Sequence, residues 1–87
     1  MKENFLAVFE STTETLKAER ALKEAGLKPR PVIKPRTLGG SCQMALKLPF
    51  GSFEAVGKAV SERRLKLVGF FVQDADGGWI PLAGEPG

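Results

Sequence analysis

The sequence contains no histidine and no tyrosine, and it contains a single cysteine, Cys42. Histidine is the usual general acid–base group near neutral pH and a frequent zinc ligand, so its absence removes the common routes to acid–base and zinc chemistry. No carboxylates cluster at the spacing of metal ligands, and we expect neither a metal site nor a cofactor. A lone cysteine cannot form an intramolecular disulfide. Any nucleophilic chemistry therefore falls to Cys42.

Long apolar runs are also missing. None approaches the roughly 20 residues that a membrane-spanning helix needs, and no signal-peptide cleavage site follows the N-terminus. The chain has 87 residues, which is the size of one domain. We therefore expect a cytoplasmic protein with no membrane contact, in which residues 1–83 form one domain and residues 84–87 a flexible tail.

The charge balance is a small basic excess. The net charge is +3 and the sequence pI is about 9.3. Binding to nucleic acid by charge alone requires many clustered phosphate contacts. Phe5 and Phe9 are the aromatics that a sheet surface could offer to RNA bases, whereas residues 43–48 offer none. The sequence thus argues against a nucleic-acid partner.

The first half of the chain predicts a strand, a helix and a second strand. Residues 5–9 are continuously apolar, as in a central strand buried on both faces. Ser11 and Glu14 have the spacing of a capping box and Gly26 is suited to a helix C-terminus, so we expect a helix over residues 12–25. Leu16 falls outside its apolar stripe. Prolines within residues 28–35 restrict that segment to an edge strand.

The second half repeats the order of strand, helix and strand. Residues 43–48 alternate with Met44, Leu46 and Leu48 inward, which predicts a third strand. Ser52 is a candidate N-cap for a helix through about residue 63, and residues 67–72 have strand composition. Residues 79–82 follow a turn and are a candidate short extra strand against the strand at residues 67–72.

The predicted order is typical of an α+β, ferredoxin-like βαββαβ sandwich. In that plan two helices cover one face of a four-stranded antiparallel sheet. The first and third strands are central, and the second and fourth lie at the edges. Cys42 is then expected where the connection from the second strand enters the third.

Gly39, Gly40 and Ser41 precede Cys42 and offer flexible backbone with several amide N–H donors, a setting that stabilises anions. Arg36 lies six residues earlier, and a connection that folds back would bring its guanidinium close enough to lower the pKa of the thiol. Lys47 would be roughly 16 Å away along a strand. The alternative remains open, since Cys42 shares the inward parity of Met44 and would then be an ordinary core residue.

The sequence also resembles a known family. The resemblance is carried by Phe-Glu-Ser-Thr-Thr-Glu at residues 9–14, the helix sequence at residues 16–23, Lys-Pro-Arg-Thr-Leu at residues 34–38, and Ser41-Cys42 before an apolar strand. These segments resemble the Se/S (selenium/sulfur) carrier protein-like family of small bacterial proteins, formerly a domain of unknown function. The resemblance covers about residues 4–73. In that family the cysteine after the small-residue loop is the proposed carrier atom, which implies this role for Cys42.

The resemblance implies a non-enzymatic carrier that holds sulfur or selenium on Cys42 as a persulfide or selenosulfide, with a donor protein and an acceptor protein as partners. A different class of function is also compatible with the residues. An ACT-like regulatory module would bind a small anion through the amides of Gly39, Gly40 and Ser41, with Cys42 merely packed. That alternative predicts a homodimer.

Overall fold

The computed structural model describes residues 4–35, 38, 43–73 and 76–82, and these form an α+β fold with two helices and one antiparallel sheet. The sheet has five strands in the order β2-β3-β1-β4-β5. The elements in chain order are β1 (Asn4–Phe9), α1 (Thr12–Glu24), β2 (Arg30–Ile33), β3 (Met44–Pro49), a 3-10 turn (Phe50–Ser52), α2 (Phe53–Arg63), β4 (Leu67–Gln73) and β5 (Trp79–Pro81).

The fifth strand corrects the predicted placement of β4 at an edge of a four-stranded sheet. β5 pairs antiparallel with β4, with Val72 opposite Ile80, so β4 is an interior strand. Gln73 Nε2 donates a 3.0 Å hydrogen bond to the carbonyl of Gly77, and Gly77 has φ +86°, a conformation that glycine adopts without strain. This local turn directs the chain back along β4.

The predicted edge position of β2 is confirmed. The Lys34 N–H donates a 2.9 Å bond to the carbonyl of Gln43, and Pro31 lies opposite Leu46. Hydrogen-bonded and non-hydrogen-bonded pairs alternate along an antiparallel ladder, so the nitrogen of Pro31 faces away from β3. The missing N–H of Pro31 therefore costs no hydrogen bond between β2 and β3. It also leaves the outer edge of β2 with one hydrogen-bond donor fewer.

Helix α1 begins and ends as the sequence predicts. The Glu14 N–H donates a 3.1 Å hydrogen bond to Ser11 Oγ. The Glu14 carboxylate does not complete a capping box. Instead it accepts a 3.2 Å bond from the backbone N–H of Lys66 and so ties α1 to the connection between α2 and β4. At the C-terminus, Gly26 has φ +86° and the Leu27 N–H bonds the Leu22 carbonyl at 2.9 Å, which is a Schellman motif.

Helix α2 differs from the prediction at its start. Ser52 makes no side-chain capping bond, because the 3-10 turn (Phe50–Ser52) runs directly into the helix and the Phe53 N–H bonds the Phe50 carbonyl. The helix ends at Arg64, which has φ 52°. In the described part of the chain, no helix is long and apolar enough to cross a membrane.

Both helices pack on the same face of the sheet, which we call the helix-covered face. Ala18 and Leu22 of α1 and Val56 of α2 share one apolar cluster with alternate residues of β1, β3 and β4. Leu16 points away from this cluster and is 51% exposed. At one end, the ring of Phe5 makes edge contacts with three other rings, at centroid distances of 6.0, 5.2 and 5.7 Å from Phe50, Phe53 and Phe70.

Candidate functional site

The predicted site residues all lie outside the described part of the chain. They are Arg36, Gly39, Gly40, Ser41 and Cys42. The structure does describe what holds segment 36–42, which contains all five of them. It describes the residues on either side of the segment, and it describes Leu38 within it.

The two ends of segment 36–42 lie side by side. β2 and β3 pair up to Ile33 opposite Met44, and the Lys34 N–H then bonds the carbonyl of Gln43 at 2.9 Å. The Leu38 N–H also donates a 3.2 Å bond to the carbonyl of Pro35. The segment that contains Cys42 therefore leaves and re-enters the sheet at one point, between an edge strand and an interior strand.

Leu38 provides a third attachment. It is half-buried and packs against Leu6, Val8 and Ala45 on the side of the sheet opposite the helices, which we call the second face. These three side chains are 2%, 0% and 0% exposed. Burial of this kind stabilises by about 25 cal/mol per Å² of apolar surface removed from water. Leu38 thus gives the connection between β2 and β3 an apolar contact with the second face, in addition to its paired ends.

Aromatic side chains close the second face from the other edge. Phe71 of β4 and Trp79 of β5 are half-buried and pack against the same cluster as Leu38. A Cβ added at Gly69 would lie 3.4 Å from two atoms of the Phe71 ring, so this ring lies over the glycine. The second face is therefore covered by a loop residue and two aromatics.

The structure buries the two aromatics that the sequence offered to RNA bases. Phe5 and Phe9 are 1% and 0% exposed beneath the helices. The buried positions of β1 and β3 on the second face are aliphatic, namely Leu6, Val8 and Ala45. Neither Phe5 nor Phe9 is available to stack on a base.

Two lysines flank the site in different ways. Lys34 immediately precedes Pro35 and is only 7% exposed, which is unusual for a lysine. Lys47 lies on the second face opposite Leu6 and is half-buried. No three metal-ligating side chains come together among the residues that the structure describes.

Sequence reasoning missed both Leu38 and Lys34 as parts of this site. The continuous apolar run of β1 carried a signal for Leu38, since a strand buried on both faces needs a cover on the side away from the helices. Leu38 is the largest apolar side chain in the connection. The burial of Lys34 has no comparable signal, because lysine is nearly always an exposed residue.

Comparison with curated proteins and with solved structures gives no match. A comparison with family sequence models gives a match over residues 4–72. That range runs from β1 into β4 and includes segment 36–42 with Cys42. It agrees with the range of the resemblance noted in the sequence. The chain therefore belongs to the family described as "Putative Se/S carrier protein-like".

Proposed function

We propose that this protein carries sulfur or selenium on Cys42, taking the atom from a donor protein and passing it to an acceptor protein. The observation that carries the proposal is membership of the Se/S carrier-like family over a range that includes the only cysteine of the chain. The pairing of β2 with β3 on either side of segment 36–42 supports it, because both ends of the segment that contains Cys42 are attached to the sheet.

The transfer chemistry needs only a thiolate. The Cys42 thiolate attacks the terminal sulfur of a persulfide on the donor, a new S–S bond forms, and the donor's S–S bond breaks to release its thiolate. In the second step a nucleophile of the acceptor attacks the terminal sulfur on Cys42, and the Cys42 thiolate leaves. Neither step requires an external oxidant or reductant. A selenium atom in place of the terminal sulfur follows the same course.

The free energy needed to activate the Cys42 thiol is small enough for the residues of segment 36–42 to supply. A free thiol has a pKa of about 8.5, and lowering it by about two requires roughly 2.7 kcal/mol in favour of the thiolate. Hydrogen bonds to a charged group contribute about 1.5 to 3 kcal/mol each. The backbone amides of Gly39, Gly40 and Ser41, together with Arg36, are the donors that we propose for this role.

We further propose that the architecture is the ferredoxin-like plan extended by one strand. The neighbouring strands β2, β3, β1 and β4 are antiparallel, and both helices lie on one face. β5 then counts as an addition beside β4.

The carrier function is tested by trapping the adduct. The reduced protein is incubated with a cysteine desulfurase and cysteine, and its intact mass is measured before and after treatment with a reductant. We expect a reducible increase of one sulfur atom in the wild-type protein and none in Cys42→Ser. A selenocysteine lyase with selenocysteine gives the matching experiment for selenium. Failure of the wild-type protein to acquire either atom would refute the carrier function.

A further inference from the structure

Charge is unevenly distributed along this chain. Residues 25–53 contain five basic side chains and no acidic one, whereas the rest of the chain contains eight basic and ten acidic side chains. Residues 25–53 include β2, β3 and segment 36–42, and β2 and β3 are neighbours at one edge of the sheet. The basic stretch therefore belongs to the β2–β3 edge of the sheet, from which segment 36–42 leaves and to which it returns.

Helix residues form ion pairs with one another, whereas three basic side chains of residues 25–53 form none with the described residues. Ion pairs join Lys17 to Glu14, Lys23 to Glu19 and Arg63 to Glu24, at 3.2, 3.3 and 2.9 Å respectively. Among the residues that the structure describes, no ion pair involves the basic strip, which we define as Lys28, Arg30 and Lys47.

Within the basic strip, two cations face each other. Arg30 of β2 lies directly opposite Lys47 of β3, and Lys47 lies directly opposite Leu6 of β1. Directly opposed residues of antiparallel strands share a face of the sheet, so both cations belong to the second face. Like charges in this relation destabilise a sheet. The pair therefore imposes a cost on folding that an acidic partner would relieve.

We propose that the basic strip docks an acidic surface of the protein that exchanges sulfur or selenium with Cys42. The inference rests on the proposed carrier function for the identity of the partner. Its geometry rests on the register. Lys47 is two residues along β3 from Ala45, and Ala45 belongs to the apolar cluster that Leu38 joins. Arg30 and Lys47 lie at one end of the β2–β3 ladder and segment 36–42 leaves the sheet at the other end, so a partner that contacts both spans the ladder on the second face.

A protein surface fits the strip better than a nucleic acid does. The strip has three cations, whereas sequence-independent nucleic-acid binding relies on many phosphate contacts. Binding of single strands also uses exposed aromatic side chains as stacking platforms, whereas the second-face aromatics Phe71 and Trp79 are half-buried against the cluster of Leu6, Val8 and Ala45. A few carboxylates on a partner would match the strip and would accelerate encounter with it.

The test measures binding without the thiol. Isotope-labelled Cys42→Ser protein is titrated with a synthetic glutamate-rich peptide at low salt, and amide shifts are followed by NMR. We expect the shifts to concentrate on β2 and β3 and the binding to weaken as salt is added. Lys47→Glu should weaken binding about ten-fold, because it removes one cation and neutralises Arg30 opposite it. Lys58→Glu is the matched control, an exposed lysine of α2 with the same change of charge, and it should change binding less than about two-fold.

Lys47→Glu also controls for misfolding, since it creates an opposite-charge pair with Arg30 and should leave the melting temperature unchanged or raised. Equal weakening by Lys47→Glu and Lys58→Glu would overturn the proposal, as would peptide shifts spread over the helices or no binding at all. Tighter binding of a single-stranded oligonucleotide of equal charge would assign the strip to nucleic acid instead. Because the protein used lacks the thiol, failure of this test is distinct from failure of the carrier function.

Discussion

The central strands are buried equally well on both faces of the sheet, but the two faces are covered by different structural elements. On the helix-covered face, Phe5 and Leu46 are buried under two amphipathic helices and a cluster of aromatic rings. On the second face, Leu6 and Val8 are buried just as completely, under side chains that are themselves half-exposed, including Leu38. Most of the stability should therefore come from the helix-covered face, whereas changes on the second face should also affect the segment that contains Cys42.

The largest loss of stability is expected when the ring at the centre of the aromatic cluster is removed. Phe5→Ala should lower the free energy of unfolding by about 3 to 5 kcal/mol, because it leaves a cavity among three other rings. Urea denaturation followed by circular dichroism measures the change. Ile33→Ala is the control, since Ile33 is 88% exposed and its loss should matter by less than about 0.5 kcal/mol. A comparable loss in both variants would show that Ile33 is buried by a second molecule.

A smaller effect is expected for the residue that attaches segment 36–42 to the second face. Leu38→Ala should cost about 1 to 2 kcal/mol, because Leu38 is only half-buried. It should also raise the rate of Cys42 alkylation several-fold under native conditions. Leu27→Ala is the matched control, as Leu27 is half-buried against the helix-covered face. If both variants alkylate at the same rate, Leu38 does not restrain the segment.

The third prediction distinguishes a local charge from a distant one. Arg36→Ala should raise the pKa of Cys42 by about one, equivalent to roughly 1.4 kcal/mol, whereas Lys47→Ala should change it little. Titration of thiol reactivity against pH measures both. Equal changes would mean that the overall charge of the protein sets the thiol pKa. An inert Cys42 that titrates above about 8.5 would favour the ACT-like anion-binding alternative instead.

The smallest expected effect is a change in the pH dependence of stability that comes from Glu14 of α1. The backbone N–H of Lys66, and then the ammonium of Lys17, hold the pKa of Glu14 below its ordinary value of 4.5. A lowered folded-state pKa gives stability that is present above the unfolded value and is lost as the pH falls through the folded value. Glu14→Gln should thus be slightly less stable than wild type at neutral pH. Its melting temperature should fall less steeply below pH 4.5, and equal slopes in the two proteins would contradict this.

Local signals located most of the regular structure. The apolar run that predicted β1 corresponds to a strand whose residues 5–9 are all buried, and Ser11 and Gly26 mark the ends of α1 as expected. Ser52 failed as a cap because a preceding turn already satisfies the backbone. The candidate strand at residues 79–82 does pair with β4, and the edge position of β4 was wrong because the four-stranded plan left this strand out of the sheet.

For the candidate site, too, some features were predictable from the sequence and others were not. Sequence alone singled out Cys42, since no other residue of the chain is a comparable nucleophile, and it placed the proline-bearing β2 at an edge because proline lacks the N–H that an interior strand must donate. Only the tertiary structure decided that Leu38 packs on the second face and that Arg30 lies opposite Lys47. These contacts join residues that are far apart in the chain. They are set by the strand register and by the burial of both faces of the sheet, and short-range propensity carries no information about the register or about the burial.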